Sequence, residues 1–359
     1  MKIQKATARY EAWLADHIPL FPDDLSKKHE EMAKKPFPFL RATFYRWAQI
    51  WPKVCANLAP APAVLAVGDL HVENFGTWRD TDGRLIWGIN DFDEAWWLPY
   101  THDLVRLAAG ASLAIAEKRL AIDDKDAAGA ILEGYREALD AGGRPFVLAE
   151  DHHALRAMAI HRLLDPEAFW KKLEELRPLK SGIPAGARKA LSRMMPGPDL
   201  PFRVVHRVSG LGSLGRQRFV ALADWGGGKI AREAKALAPS ACLWAKNGRG
   251  PAKILYQKAL DRAVRCQDPF VRLKGGWIVR RLAPDCSRIE LSSLPTQRDE
   301  ERLLHAMGYE TANMHLGSRK ARVIERDLKK RPSGWLHRAA GQMVAAVIED
   351  WKDWRKLAS

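Results

Sequence analysis

The chain has 359 residues, 47% of them apolar and 28% charged, which excludes a peptide-sized module and wholesale disorder and leaves room for one large domain or two ordinary ones. Its 58 Lys and Arg against 43 Asp and Glu give a formal net charge of +15, attractive to anions of any kind but spread along the chain without a basic tail. The four cysteines (Cys55, Cys242, Cys266, Cys286) form no Cys-x-x-Cys pair, which excludes zinc ribbons and thioredoxin-type motifs and suggests reduced thiols of a cytoplasmic protein.

In chain order, the basic opening has neither a continuous apolar stretch nor a small-residue cleavage site, so no signal peptide is expected. Residues 24–50 read as helix with an aromatic and aliphatic stripe, interrupted at Pro36 and Pro38. Residues 63–67 and 84–89 read as two short strands of a hairpin, joined through the turn signal Asp80-Thr81-Asp82-Gly83. Residues 101–195 turn helical; their longest apolar segment, 104–116, contains Arg106 and is far short of the ~20 residues a membrane span needs. After Pro196-Gly197-Pro198 come strand-like stretches at 202–209, 216–223 and 229–234. A helix (251–266), a strand (277–282), a long helix (298–315) and an amphipathic helix (335–354) complete the chain. The order implies an α+β protein with a small β-rich part and a larger helical one.

Three clusters carry chemistry. Gly68-Asp69-Leu70-His71-Val72-Glu73-Asn74 and Ile89-Asn90-Asp91-Phe92-Asp93 each lie at the end of an expected strand. A hairpin would bring them to one edge, where their oxygens could hold Mg²⁺ and orient a hydroxyl, although Asp and Asn also serve as ordinary turn and cap residues. Asp-Leu-His after a strand also opens a dinuclear metallophosphoesterase signature, but the Asn-His pair that chemistry needs never occurs. Gly210-Leu211-Gly212-Ser213-Leu214-Gly215 is a formal GxGxxG followed by strand rather than helix. That disfavours a dinucleotide fingerprint and suits a flap over phosphates, or a plain flexible hairpin.

Asp-Leu-His-Val-Glu-Asn resembles the catalytic loop of protein-kinase-like phosphotransferases, particularly the aminoglycoside and choline kinase branch, and Asn-Asp-Phe-Asp-Glu-Ala resembles their metal-binding segment. His102-Asp103-Leu104 is similar to the start of the helix that follows, and Gly210–Gly215 to the nucleotide-binding flap. Kinases place the flap first; here it follows the catalytic loop by about 140 residues, and Thr311–Leu316 resembles the helix end that normally precedes that loop. A circular permutation accounts for this order. The whole pattern, with His29-Glu30-Glu31-Met32 and residues 36–41, is similar to a bacterial family of undetermined function, over roughly 28–317.

The resemblance implies a circularly permuted two-lobed kinase-like fold: residues 1–200 as a large helical lobe with the catalytic loop, 201–283 as a small β-rich nucleotide lobe, and 284–359 as helices completing the large lobe. It implies ATP and Mg²⁺ as cofactors and a small-molecule hydroxyl as acceptor. Asp69 becomes the base, and His71 faces the transferred phosphate. Asn74 and Asp91 become metal ligands, Asp93 either a further metal ligand or a hydrogen-bond acceptor for the loop, and Asp103 a structural brace. Gly210, Gly212, Ser213 and Gly215 cover the nucleotide. The phosphate-binding cation of the third strand is expected at Arg232, with Lys235 next; three residues apart, they point to opposite faces. No acidic partner for it stands out in the helix at 251–266, where Asp261 alone is available. A catalytically inactive nucleotide-sensing or partner-binding protein is the second expectation, and a nucleic-acid binder, resting on charge and aromatics alone, the third. No membrane partner is expected.

Overall fold

The computed structural model describes residues 1–149, 152–160, 165–250, 252–286 and 299–358. The chain opens with four helices, α1 (Ile3–Ala15), α2 (Pro22–Lys34), α3 (Pro36–Ala42) and α4 (Phe44–Val54). Proline in the first turn of α2 and α3 costs no hydrogen bond there, and Asp23 and Asp24 complement the positive end of the α2 dipole. The expected interruption at Pro36 is therefore a helix boundary.

Four short strands follow: β1 (Ala63–Ala66), β2 (Phe75–Arg79), β3 (Leu85–Ile89) and β4 (Trp96–Pro99). The hairpin differs from the expected one. The turn at Asp80–Gly83 joins β2 to β3, with Phe75 opposite Ile89, whereas β1 pairs with β4, Ala66 opposite Trp96. Residues 75–78 are buried on both faces, so they lack the polar alternation by which a half-exposed strand is recognised. Asp80 fixes the turn by accepting from the backbone N–H groups of Asp82 and Arg84.

Helices α5 (Tyr100–Ala116) and α6 (Asp124–Ala141) then build the centre of the helical part. Asp123 caps α6 and Gly142, in the left-handed region, ends it. The short strand β5 (Phe146–Val147) adds to β3, and α7 (His153–Ile160), α8 (Pro166–Glu174) and α9 (Ala185–Ser192) lead to the second sheet.

That sheet contains β6 (Arg203–His206), β7 (Arg218–Trp225), β8 (Gly228–Ala236), β9 (Arg272–Lys274) and β10 (Trp277–Leu282), with α10 (Ala241–Ala245) and α11 (Tyr256–Arg262) between β8 and β9. It is antiparallel in the order β6-β7-β8-β10-β9. Its two faces divide the sequence by parity. Val204, Phe219, Ala221, Ala234 and Val279 join the main core together with Ala187, Ala190 and Leu191 of α9. Val205, Val220, Leu222, Ala231 and Leu282 form a separate cluster with Leu173 of α8. Helices α8 and α9 thus lie against the small sheet.

Helices α12 (Glu300–Leu316), α13 (Ala321–Leu328) and α14 (Trp335–Ala358) return to the helical part, α12 packing along α6 and α14 along α5. The C-terminal stripe faces inward, with Trp335, Met343 and Val347 buried. The helix expected over 251–266 is shorter, Tyr256–Arg262, and the expected helix start at 298 lies outside the described residues. The protein is α+β, with a small antiparallel sheet beside a larger helical body. Among the described residues no helix is long and apolar enough to cross a membrane, and all four cysteines are free thiols.

Candidate functional site

The segment between β1 and β2 is held from behind. Buried Asp103, in the first turn of α5, accepts from the backbone N–H groups of Val67 (2.7 Å) and Gly68 (3.0 Å) and from His315 Nε2 (3.1 Å), whose Nδ1 faces Tyr135 Oη at 2.8 Å. Burial opposes ionisation of Asp103, yet the imidazoles of His102 and His315 beside it hold its carboxyl well below the usual range. Gly68 is at φ +84°, and a Cβ there would stand 2.3 Å from the carbonyl oxygen of Glu94, so only glycine lets the two loops meet this closely.

Asn74 ties these loops together. Its Nδ2 donates to the carbonyl oxygens of Asp69 (3.1 Å) and Asp91 (3.0 Å), and its Oδ1 accepts from Asp91 N (3.0 Å). Asn74 was expected as a metal ligand; here its amide is committed to backbone. Asp69 is held by Arg106, whose Nε and Nη2 donate to Oδ1 at 3.1 and 2.5 Å. Arg106 is fully buried, stacks over Trp47 (4.7 Å) and Phe44 (5.3 Å), and donates to the Leu40 carbonyl at 2.8 Å, so it cannot swing away. His71 is buried, and its Nδ1 accepts from Glu73 N at 3.2 Å, which puts the ring proton on Nε2.

On the β8 side, Lys235 reaches the acidic pair. Its Nζ donates to Asp91 Oδ2 at 3.0 Å and lies 2.7 Å from Asp93 Oδ2. Arg232 goes the other way: its Nε donates to the Met194 carbonyl beyond α9 at 2.9 Å, and its guanidinium lies 4.6 Å over the Phe270 ring. Of the two cations, Lys235 and not Arg232 thus reaches the acidic pair, because α9 covers the face of the sheet that carries Arg232. Nor is Asp261 the partner of Lys235, since that side chain is exposed and accepts from Gln257.

Arg216 completes the cluster, donating to Glu94 Oε1 (2.9 Å) and lying 3.4 Å from Asp93 Oδ2. Burial, with Asp91 alongside, holds the Asp93 carboxyl above its ordinary range, and Asp93 Oδ1 is buried without a hydrogen-bond partner. Among the described residues no three of His, Cys, Asp and Glu converge on a cation position. Asp91 and Asp93 still fit Mg²⁺, which typically takes one or two carboxylates and completes its shell with phosphate oxygens and water.

The glycine segment 210–215 joins β6 to β7 and contains one 3₁₀ turn, Leu211–Ser213. The N–H groups of Ser213, Leu214 and Arg216 bond within the turn, and Ser213 Oγ accepts from Arg218. These three N–H donors are thus engaged by the protein. Gly215 O accepts from Phe21 N at 2.8 Å, docking the flap on the start of α2. A Cβ on Gly212 would lie 2.9 Å from the Arg41 carbonyl oxygen and 3.4 Å from Asp69 Oδ2, so the flap tip rests directly over Asp69.

Two cavities meet here. A small one of about 40 Å³ is lined by Asp69, His71, Asn74, Asp91, Asp93 and Gly212, among others. A larger one of about 630 Å³ lies between the flap, α8 and the end of β10. Arg41, Asp91 and Gly210 line both. The larger cavity is cationic: Arg207, Arg218 and Arg280 converge on buried Glu233 at 2.6, 2.8 and 2.8 Å. Although burial opposes ionisation of Glu233, the guanidiniums of Arg218, Arg280 and Arg207 hold it well below its ordinary range.

Of the residues expected from sequence, Asp69, His71, Asn74, Asp91, Asp93, Lys235 and the flap come together, and Arg232 does not. Sequence reasoning missed Lys28, Arg106 and Arg216, which reach the site from three separate segments. Only Arg106 carried a signal, as the one charge in an apolar helical run.

Residues 20–167 match the sequence model of a family described as "Uncharacterized protein conserved in bacteria (DUF2252)". The matched stretch runs from α2 through α7, includes both acidic loops, and ends before the five-stranded sheet. It is shorter than the expected 28–317 span. No curated protein and no solved structure matches the chain.

Proposed function

We propose that the protein is an ATP- and Mg²⁺-dependent phosphotransferase acting on the hydroxyl of a small molecule, with a circularly permuted kinase-like arrangement. The observation that carries this reading is the junction of the two cavities: a cationic cleft of about 630 Å³ opens, at Arg41, Asp91 and Gly210, onto a small cavity holding Asp69. The cleft falls within the ~300–1,000 Å³ of ligand pockets, and its guanidiniums suit a polyphosphate. The permutation is supported by the strand order β6-β7-β8-β10-β9, with the glycine segment between the first two strands and Lys235 on the third.

In this reading Asp69 Oδ2 takes the proton of the acceptor hydroxyl while Arg106 fixes Oδ1. The acceptor oxygen forms a bond to the terminal phosphorus, the bond to the bridging oxygen breaks, and ADP leaves with that electron pair. A magnesium ion on Asp91 and Asp93 would neutralise charge on the β- and γ-phosphates. Lys235 and Arg216 hold those carboxylates in place, and Asn74 fixes the spacing of the two loops. Positioning and charge neutralisation account for most of catalysis in this chemistry.

A second reading, a non-catalytic nucleotide sensor, is favoured by the docking of the flap on α2, where Leu25 packs against Gly215. Calorimetry with MgATP and a transfer assay across hydroxyl acceptors separate the two. Transfer that Asp69→Asn abolishes without loss of MgATP binding, and that Asp91→Ala abolishes together with binding, supports the enzyme. Full transfer by Asp91→Ala sinks it, and binding without turnover on any acceptor favours the sensor.

A further inference from the structure

Lys28, on α2, is 2% exposed and lines the small cavity. Among the described residues its ammonium makes no ion pair and no hydrogen bond, and its one charge contact is with the Tyr45 ring, 5.5 Å from the centroid. A buried ammonium without an anion is costly, and lysines are rarely buried unless paired. Of the other cations lining the cavity, Arg216 is engaged by Glu94 and Asp93, whereas Arg41 pairs with Glu73 through Nη1 and keeps its Nε buried without a partner. The acidic groups nearest Lys28 in effect, Glu11, Glu94 and Asp69, belong to other contacts: Glu11 to His29, Glu94 to Arg216 and Asp69 to Arg106. Burial pushes Lys28 down to about 8, so it is still mostly protonated at neutral pH.

We propose that the small cavity beside Asp69 is an anion subsite in which Lys28 holds the oxygens of the transferring phosphoryl group, so that the N-terminal helix α2 contributes a catalytic cation. The subsite rests on the phosphotransferase reading for the identity of its anion, and not for its existence. Three features agree on its occupant. The volume, about 40 Å³, admits a few heavy atoms and no nucleoside. Its mouth at Arg41, Asp91 and Gly210 is shared with the cationic cleft, so a polyphosphate lying in the cleft would extend its terminal group inward. Asp69 and Gly212 both line it, so an occupant would lie beside the proposed base and next to the flap tip. Lys235 is already committed to Asp91 and Asp93, which leaves Lys28 as the lysine of this cavity not engaged by a carboxylate.

The test uses the full chain, Lys28→Met and Lys28→Arg, with inorganic phosphate as the probe in thermal unfolding against chloride at equal ionic strength, and calorimetry with MgATP and MgADP. Phosphate should raise the melting temperature of the wild type and of Lys28→Arg, and leave Lys28→Met unmoved. Wild type should bind MgATP about tenfold or more tighter than MgADP, the scale of one charge-assisted contact to the extra phosphate, and Lys28→Met should bind the two alike. If Lys28→Met keeps both the phosphate response and the preference for MgATP, the subsite is wrong while the phosphotransferase reading stands. If no nucleotide binds but the phosphate response still depends on Lys28, the subsite stands and the phosphotransferase reading falls. A Lys28→Met chain that does not fold, beside a Lys28→Arg chain that folds without a phosphate response, overturns the subsite in favour of a structural lysine.

Discussion

The ammonium of Lys235 lies 2.7 Å from Asp93 Oδ2, a bond that joins the small sheet to the acidic loop after β3. Both side chains are largely withdrawn from solvent, at 3% and 9% exposure, and Asp91 shares the same ammonium. Lys235→Met would leave two carboxylates side by side, with Arg216 still beside Asp93, a loss of roughly 3 kcal/mol or more for a broken buried pair. The expected outcome is a lower midpoint in urea unfolding together with loss of MgATP binding by calorimetry. Arg232→Met, on the face under α9, should leave MgATP affinity at the wild-type value. The opposite pattern would restore Arg232 as the phosphate-binding cation.

Asp103 carries the second prediction. Asp103→Asn places an amide where Val67 N, Gly68 N and His315 Nε2 all donate, so at least one buried donor loses its acceptor, at a cost of about 3 kcal/mol. Because the folded carboxyl is held below its unfolded value near 3.9, its stabilisation is fully present above that pH and is lost as pH falls through the acid range. Stability measured from pH 6 down to pH 2 should therefore fall less steeply in Asp103→Asn than in wild type. Equal acid slopes would show that the brace contributes nothing through its charge.

The acidic half of the site was legible because its chemistry is local. Asp69, His71, Asn74, Asp91 and Asp93 lie within one short stretch, and a hairpin gathers them, though it is β2–β3 that does so. Strand β2 escaped notice because both of its faces are buried, which removes the alternation that marks a half-exposed strand. The cationic half was illegible for a different reason. Lys28, Arg106 and Arg216 converge only through the packing of α2, α5 and the start of β7, and nothing in residue spacing reports such a meeting. The period-two rule placed Arg232 and Lys235 on opposite faces correctly. It could not say which face meets the cleft, because that depends on where α9 lies.

Gly212 tests the closed flap. Its missing side chain lets the flap tip sit 2.9 Å, measured from an ideal Cβ, above the Arg41 carbonyl oxygen. Gly212→Ala must move the tip off the Arg41 backbone, and because the atom met is a backbone carbonyl rather than a flexible side chain, the shift costs stability, on the order of 1 kcal/mol. Transfer should fall more than MgATP affinity, since misplacement of a reacting group by a fraction of an ångström costs rate before it costs binding. An alanine variant with wild-type turnover would show that contact between the flap and Asp69 does not govern the reaction.

Lys28 makes stability depend on alkaline pH in a direction opposite to that of a paired lysine. Burial lowers its folded value from 10.5 to about 8, and Arg216 lowers it further, against the opposing pull of Glu11, Glu94 and Asp69. Below pH 8 both folded and unfolded chains carry the charge, and the folded one bears the cost of enclosing it. Between about 8 and 10.5 the unfolded chain keeps a proton that the folded chain has released, so this group adds stability as pH rises. The gap of about 2.5 units corresponds to roughly 3 kcal/mol. Lys28→Met, which removes the charge and keeps much of the bulk, should be the more stable protein at pH 7 and lose that advantage toward pH 10.5. Other lysines and tyrosines titrate in the same window, so the quantity to measure is the difference between the two unfolding curves at each pH. A difference that does not change from pH 7 to 10.5 would mean that the ammonium has a partner that compensates its burial, and that Lys28 does not wait for an anion.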